Sequence, residues 1–287
     1  MRPAFPAVIS ADAARRVNSA SHGLRLACAV AALFAVAPAL HVLSYIWSNS
    51  DYMGYGYLVP ASSAGLWWVR RREIAGALRA GSPPADGALW VLAAVLFESL
   101  GLLADVGSVA GLGVPLVLGA TAYAVGGAQF ARALALPIGF LVFMVPPPGF
   151  LVDPLLASLK AFVTLVAVAV LQLAGFLVAA EGNRIFVPGH ELFVANACAG
   201  LNSIVTLLPL GVVVATFLVR GTWRRAAVLA SVVPLAMLGN VIRVVATAVL
   251  VTRFGVEYAE GGLHESFGVA TFLLGTGALL GVARLVR

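Results

Sequence analysis

Long apolar runs that carry almost no charge dominate this sequence and limit what it can fold into. Charged residues make up 10% of the 287 residues, against roughly 25% in a soluble domain. A run of about 20 apolar residues lets an α-helix cross a bilayer, whereas a membrane β-barrel requires short alternating segments. The chain is therefore predicted to be an all-α polytopic membrane protein. A soluble enzyme and a disordered chain are excluded, and Cys28 and Cys198 are too few for a disulfide scaffold.

Arginine clusters in the loops between the apolar runs predict on which side of the membrane each loop lies. Arg70–Arg72 and Arg79 form the strongest cluster, and all but one of the 18 basic residues are arginine. Such clusters stay on the cytoplasmic side of a membrane. The apolar runs lie at about 24–46, 57–69, 88–104, 108–129, 133–145, 161–180, 199–219, 226–252 and 264–284.

The number of spans depends on the run 133–145, which stops at Pro146-Pro147-Pro148. If this run crosses the membrane fully, the later arginine clusters fall outside the cell. That contradicts the tendency of basic residues to lie in cytoplasmic loops. If 133–155 instead dips in and returns, every later loop cluster lies inside. We prefer this second version, which gives about eight transmembrane helices and a proline-broken re-entrant segment that must be buried against other helices.

Two further segments complete the predicted organisation. Residues 1–23 are polar enough for a cytoplasmic N-terminal tail, which leaves 24–287 as a single helical transmembrane domain. The polar loop 181–197 alternates apolar residues around Pro188-Gly189, a pattern that predicts a small β-hairpin on the extracytoplasmic side.

Common catalytic motifs of membrane enzymes do not occur in the chain. His190-Glu191 and His264-Glu265 each lack the second histidine of a zinc-protease helix, and the four histidines are dispersed. Serine-elbow and phosphate-loop sequences are missing as well. We therefore expect no metal and no cofactor, and the basic charge is attributed to topology rather than to nucleic-acid binding.

Three polar residues in apolar surroundings remain as candidates: Cys198, Arg243 and His264. Arg243 follows the cytoplasmic Arg225 by 18 residues, which is about 27 Å along a helix. Arg243 therefore lies near the outer rim, where Cys198 and His264 each begin an inward span. The preferred topology places all three at one depth on three helices.

This trio has a coherent chemistry. A thiol becomes a nucleophile when a neighbouring base or cation favours its thiolate, and His264 would accept the Cys198 proton and return it to a leaving amine. Arg243 would stabilise an oxyanion. Each residue alone also has a plain interpretation, since a membrane cysteine packs as a small apolar residue and an interfacial histidine is solvated. A buried arginine is harder to dismiss, because it costs from ~2.5 to over 10 kcal/mol at the bilayer centre.

At these sites the sequence resembles the exosortase/archaeosortase family of membrane transpeptidases. The matching segments are Cys198-Ala199-Gly200-Leu201, Asn240 to Arg243, and His264 with Gly268. A Tyr55-Gly56-Tyr57-Leu58-Val59 segment also resembles a family motif, with Tyr55 in place of its usual histidine. Asn196 stands where many members have an acidic residue.

The resemblance implies a cysteine peptidase or transpeptidase of the inner membrane, with Cys198, Arg243 and His264 catalytic and with Asn240 and Asn202 in support. Its partners would be exported proteins whose C-terminal sorting tail carries a signature such as Pro-Glu-Pro, a transmembrane helix and basic residues. In bacteria the family is associated with exopolysaccharide export. An alternative function is a non-enzymatic transporter or assembly factor for polysaccharide or lipid export, in which Arg243 binds an anion. Membrane lipid is a partner in either case.

Overall fold

A computed structural model describes residues 11–50, 52–194, 200–255 and 262–287; side chains before 27 and those of 29 and 262–265 lie outside the description. Helices account for most of the described chain. They are α1 (Ala11–Asn49), α2 (Leu58–Ala80), α3 (Gly87–Leu103), α4 (Gly107–Phe140), α5 (Gly149–Leu173), α6 (Leu201–Leu218), α7 (Thr222–Phe254) and α8 (Gly262–Leu285). Short 3-10 turns cover Gly54–Tyr57 and Leu141–Met144.

Six helices in the described part of the chain are long and apolar enough to cross a membrane. This confirms the predicted all-α polytopic class. The predicted spans 57–69 and 88–104 are also helical, as α2 and α3, but they fall outside that set. The reason is that α2 carries the arginine cluster and α3 has only 17 residues.

The triple proline interrupts the helices, as expected from residues that lack a backbone N–H. Val145 and Pro148 both have extended backbone angles. The next helix, however, begins at Gly149 rather than at 161 and ends at Leu173 rather than at 180. The carbonyl of Pro148 accepts the first N–H groups of α5, from Leu151 and Val152, so the prolines start this helix as well as ending the previous segment. The return of 133–155 to its original membrane side stays a prediction.

The described chain forms two compact units, of which the first contains α1 to α4. Gly127, with a φ of 70°, divides α4 into two parts. The first part packs antiparallel to α3, with Gly101 against Ala110 at the far end. The second part packs antiparallel to α2, where the Ser63 hydroxyl donates to the Pro137 carbonyl at 2.7 Å.

The second unit contains α5 to α8, the loop 49–55 and a sheet. Strands β2 (Arg184–Val187) and β3 (His190–Phe193) form the predicted hairpin around Pro188-Gly189. A third strand, β1 (Ala179–Glu181), was not predicted; it pairs antiparallel with β2. The buried Ile185 and Val187 pack with apolar residues of α5 and α7. The extracytoplasmic side of this sheet and the single domain over 24–287 stay predictions.

Candidate active site

Helix α7 carries two of the predicted site residues. Its buried face repeats every four residues, through Val228, Val232, Ala236, Asn240, Val244 and Ala248. Asn240 occupies one position of this otherwise apolar stripe, and the residue is 2% exposed. Arg243 lies one turn further along and is half-buried. The packing of α7 therefore holds both polar side chains within the helix bundle.

The start of α6 lies directly against this part of α7. Gly200 has a left-handed backbone (φ 91°, ψ −11°) and caps α6, with its carbonyl accepting the Ile204 N–H at 3.0 Å. A methyl group on Gly200 would lie 3.1 Å from the Met237 sulfur and 3.5 Å from the Asn240 amide nitrogen. Cys198 and Asn196 precede Gly200 and lie outside the described residues.

Helix α8 also approaches α7 at this level. A methyl group on Gly268 would lie 3.6 Å from three atoms of the Arg243 guanidinium. One turn nearer the N-terminus of α8 is position 264, and residues four apart share one face of a helix. The backbone of His264 belongs to α8, but its side chain lies outside the description.

The geometry therefore brings together the segments that carry the three predicted residues. Gly200, Asn240 with Arg243, and Gly268 meet where α6, α7 and α8 pack. At the opposite end of the same helices, Arg225 donates to the Val219 carbonyl and Arg224 to the Arg287 carbonyl. The catalytic roles of Cys198, Arg243 and His264 stay predictions.

Asn202 lies in the first turn of α6, where it is half-buried and its carbonyl accepts the Thr206 hydroxyl at 2.7 Å. Its position is two residues from Gly200, close to the start of the helix. A supporting role for Asn202 stays a prediction.

Tyr55, the residue that replaces the family's histidine, lies in the turn before α2. Its hydroxyl contacts the Met53 sulfur at 3.6 Å. Burial, with a smaller contribution from Tyr52, raises the pKa of Tyr55 to about 12. Tyr55 consequently keeps its proton at neutral pH, where a histidine would exchange one, so it does not replace histidine as a base.

Met237 is a site neighbour that the sequence did not indicate. It is 8% exposed and fills the space beside Gly200. The available signal was its position three residues before Asn240, on the same face of α7, but an apolar residue at that spacing looks like ordinary core.

Comparison with known proteins identifies a family. No curated protein and no solved structure matches the chain. The family model described as a transmembrane exosortase matches residues 47–281. This match covers most of the chain and includes every segment of the candidate site, so the protein belongs to the transmembrane exosortase family.

Proposed function

We propose that this protein is a membrane cysteine peptidase or transpeptidase that removes the C-terminal sorting tail of exported proteins. One observation carries the proposal: the chain next to Cys198 packs on Asn240, and the helix that bears His264 packs on Arg243. A nucleophile, a base and a cation that can stabilise an oxyanion together support acyl transfer through a thioester.

In the proposed reaction, His264 accepts the proton of the Cys198 thiol and the thiolate attacks the scissile carbonyl carbon. The resulting tetrahedral intermediate collapses, the peptide C–N bond breaks, and His264 returns the proton to the leaving amine. An acceptor amine or water then attacks the thioester and releases the thiol.

Arg243 has the properties needed at the oxyanion. Its guanidinium is permanently charged and presents several donors in one plane. Partial burial increases the electrostatic stabilisation that it gives to a developing negative charge. The neighbouring Asn240 is buried and is proposed as a positioning residue for the turn at Gly200.

The proposed site faces the extracytoplasmic side of the inner membrane. Arg220, Arg224 and Arg225 lie between α6 and the first turn of α7, at the end of the bundle away from Gly200 and Arg243. By the charge bias of membrane loops, that arginine end is cytoplasmic. A substrate that has already been translocated would then meet the nucleophile at its signature.

The test is co-expression with a tailed substrate, in which the size of the substrate is compared between wild type and Cys198→Ala. Cys28→Ala is the matched control, because Cys28 is the chain's other cysteine and lies in α1. We expect the shortened product with wild type and Cys28→Ala, and its loss with Cys198→Ala. Equal processing by Cys198→Ala would overturn the proposal.

Hydroxylamine in the same assay identifies the intermediate. It attacks a thioester, so the shortened product would gain a C-terminal hydroxamate detectable by its mass. A product that carries only a carboxylate at saturating hydroxylamine would argue against the thioester step.

A further inference from the structure

A groove between α3 and the first part of α4 is distinct from the candidate active site. It has a volume of about 670 Å³. It is lined by small residues (Ala93, Gly119, Ala120) and by the larger apolar residues Phe97 and Leu116. Leu116 is 48% exposed, so the groove is open to the surface. We refer to this feature as the α3–α4 groove.

One end of the α3–α4 groove carries a carboxylate. Asp86 immediately precedes α3; one of its oxygens accepts the Trp90 indole N–H at 3.1 Å and the other accepts the Tyr123 hydroxyl at 3.2 Å. Both donors are neutral. The salt bridges found in the described residues are Arg70–Glu73 and Arg184–Glu191, so within that part of the chain the negative charge of Asp86 has no cationic partner.

Asp86 lies at the depth of a headgroup. It follows the cytoplasmic cluster Arg70–Arg72 and Arg79 by a short loop, and that cluster places this end of α3 at the inner face of the membrane. From Asp86 to Phe97 the groove extends 11 residues along α3, about 16 Å at 1.5 Å per residue. It therefore runs from the headgroup level into the hydrocarbon region.

From this arrangement we infer that the α3–α4 groove binds a phospholipid with a primary ammonium headgroup, phosphatidylethanolamine. The apolar walls accept an acyl chain, and the Asp86 carboxylate accepts hydrogen bonds from the ammonium. An anionic headgroup is repelled by Asp86, and a quaternary ammonium cannot donate the hydrogen bonds.

A volume of about 670 Å³ is within the range of small-molecule sites, so the groove can accept an acyl chain. The inference is independent of the proposed catalytic activity.

The experiment is native mass spectrometry of the full chain in detergent, titrated with phosphatidylethanolamine, phosphatidylglycerol and phosphatidylcholine of identical acyl chains. We expect wild type to bind one phosphatidylethanolamine at least tenfold more tightly than either other lipid. Asp86→Asn should bring the three affinities to parity. Asp105→Asn is the matched control, because Asp105 lies at the other end of the same α3–α4 pair, and it should keep the preference.

A second variant tests the groove itself. Ala120→Leu fills part of the groove and should weaken the binding of all three lipids together, with an unchanged melting temperature as evidence of folding. Equal affinity of wild type for the three lipids, or an undiminished preference in Asp86→Asn, would overturn the inference. A third experiment uses a single-span helical peptide that ends in lysines. If this peptide displaced the lipid from wild type but did not bind Asp86→Asn, the groove would be a docking site for a helix, and the inference would be overturned.

Discussion

Replacement of Gly200 by alanine is the sharpest test of how the candidate site is built. A left-handed backbone costs an L-residue about 1–2 kcal/mol, and Gly200 has a φ of 91°. The new methyl group would also lie 3.1 Å from the Met237 sulfur, closer than the optimum of about 3.5–4.0 Å for such contacts. Met237 must therefore move, or the turn that leads from Cys198 into α6 must shift.

A second glycine separates these two effects. Gly189, in the turn between β2 and β3, has a φ of 80° and nothing within 4 Å of the added methyl group. Gly189→Ala thus has the backbone strain of about 1–2 kcal/mol without the contact. We expect Gly200→Ala to lose at least as much unfolding free energy as Gly189→Ala, and we expect a loss of activity only in Gly200→Ala.

Pulse–chase measurement of the shortened substrate in membranes would give the rate. We expect at least a tenfold decrease for Gly200→Ala, which corresponds to about 1.4 kcal/mol of transition-state stabilisation, and near-normal processing for Gly189→Ala. Met237→Ala in the Gly200→Ala background should restore part of the rate because it opens the crowded space. Wild-type processing by Gly200→Ala, or an equal loss in Gly189→Ala, would refute the reasoning.

The remaining predictions concern Arg243, Tyr55 and Glu98. Arg243→Lys keeps the charge but loses the planar fork, so we expect processing to fall at least tenfold; a near-normal rate would mean that Arg243 supplies charge alone. Because the pKa of Tyr55 is raised to about 12, the folded chain keeps a proton that the unfolded chain loses between about pH 10 and 12. Stability should fall as pH rises through that window, and thermal unfolding of Tyr55→Phe should show a smaller fall; an equal fall would contradict this. Glu98 is 2% exposed and both its carboxyl oxygens lack a hydrogen-bond partner in the described chain. Glu98→Met should therefore raise the unfolding free energy by about 1–2 kcal/mol, with Glu98→Gln as the control of equal shape; destabilisation by Glu98→Met would show that the carboxyl is satisfied.

The α5 segment shows how local rules can be read correctly and still give a wrong boundary. The triple proline ends one apolar run and the next apolar run begins only at 161, which predicts that the next helix starts there. A proline directly before a helix is nevertheless compatible with it, because the first four N–H groups of a helix have no partner within the helix. Helix α5 consequently begins at Gly149, directly after the three prolines, and it continues through Pro154 in its second turn. Strand β1 was missed for a different reason: Ala179–Glu181 has no strand pattern of its own and is extended because it pairs with β2.

The sequence by itself determined the class of the protein and the residues to suspect. Apolar runs must cross a membrane as helices because the bilayer offers backbone N–H and C=O groups no other hydrogen-bond partners. A charged residue within such a run is costly, so it indicates a partner or a functional role. The tertiary structure decided which helices meet and at what height. The contacts of Gly200 with Met237 and of Gly268 with Arg243 depend on packing between helices far apart in the sequence. The same is true of the bonds from Trp90 and Tyr123 that hold the Asp86 carboxylate at the end of an apolar groove. Periodicity specifies which face of a helix is apolar, but the partner that covers this face is fixed only when side chains interlock in the folded bundle.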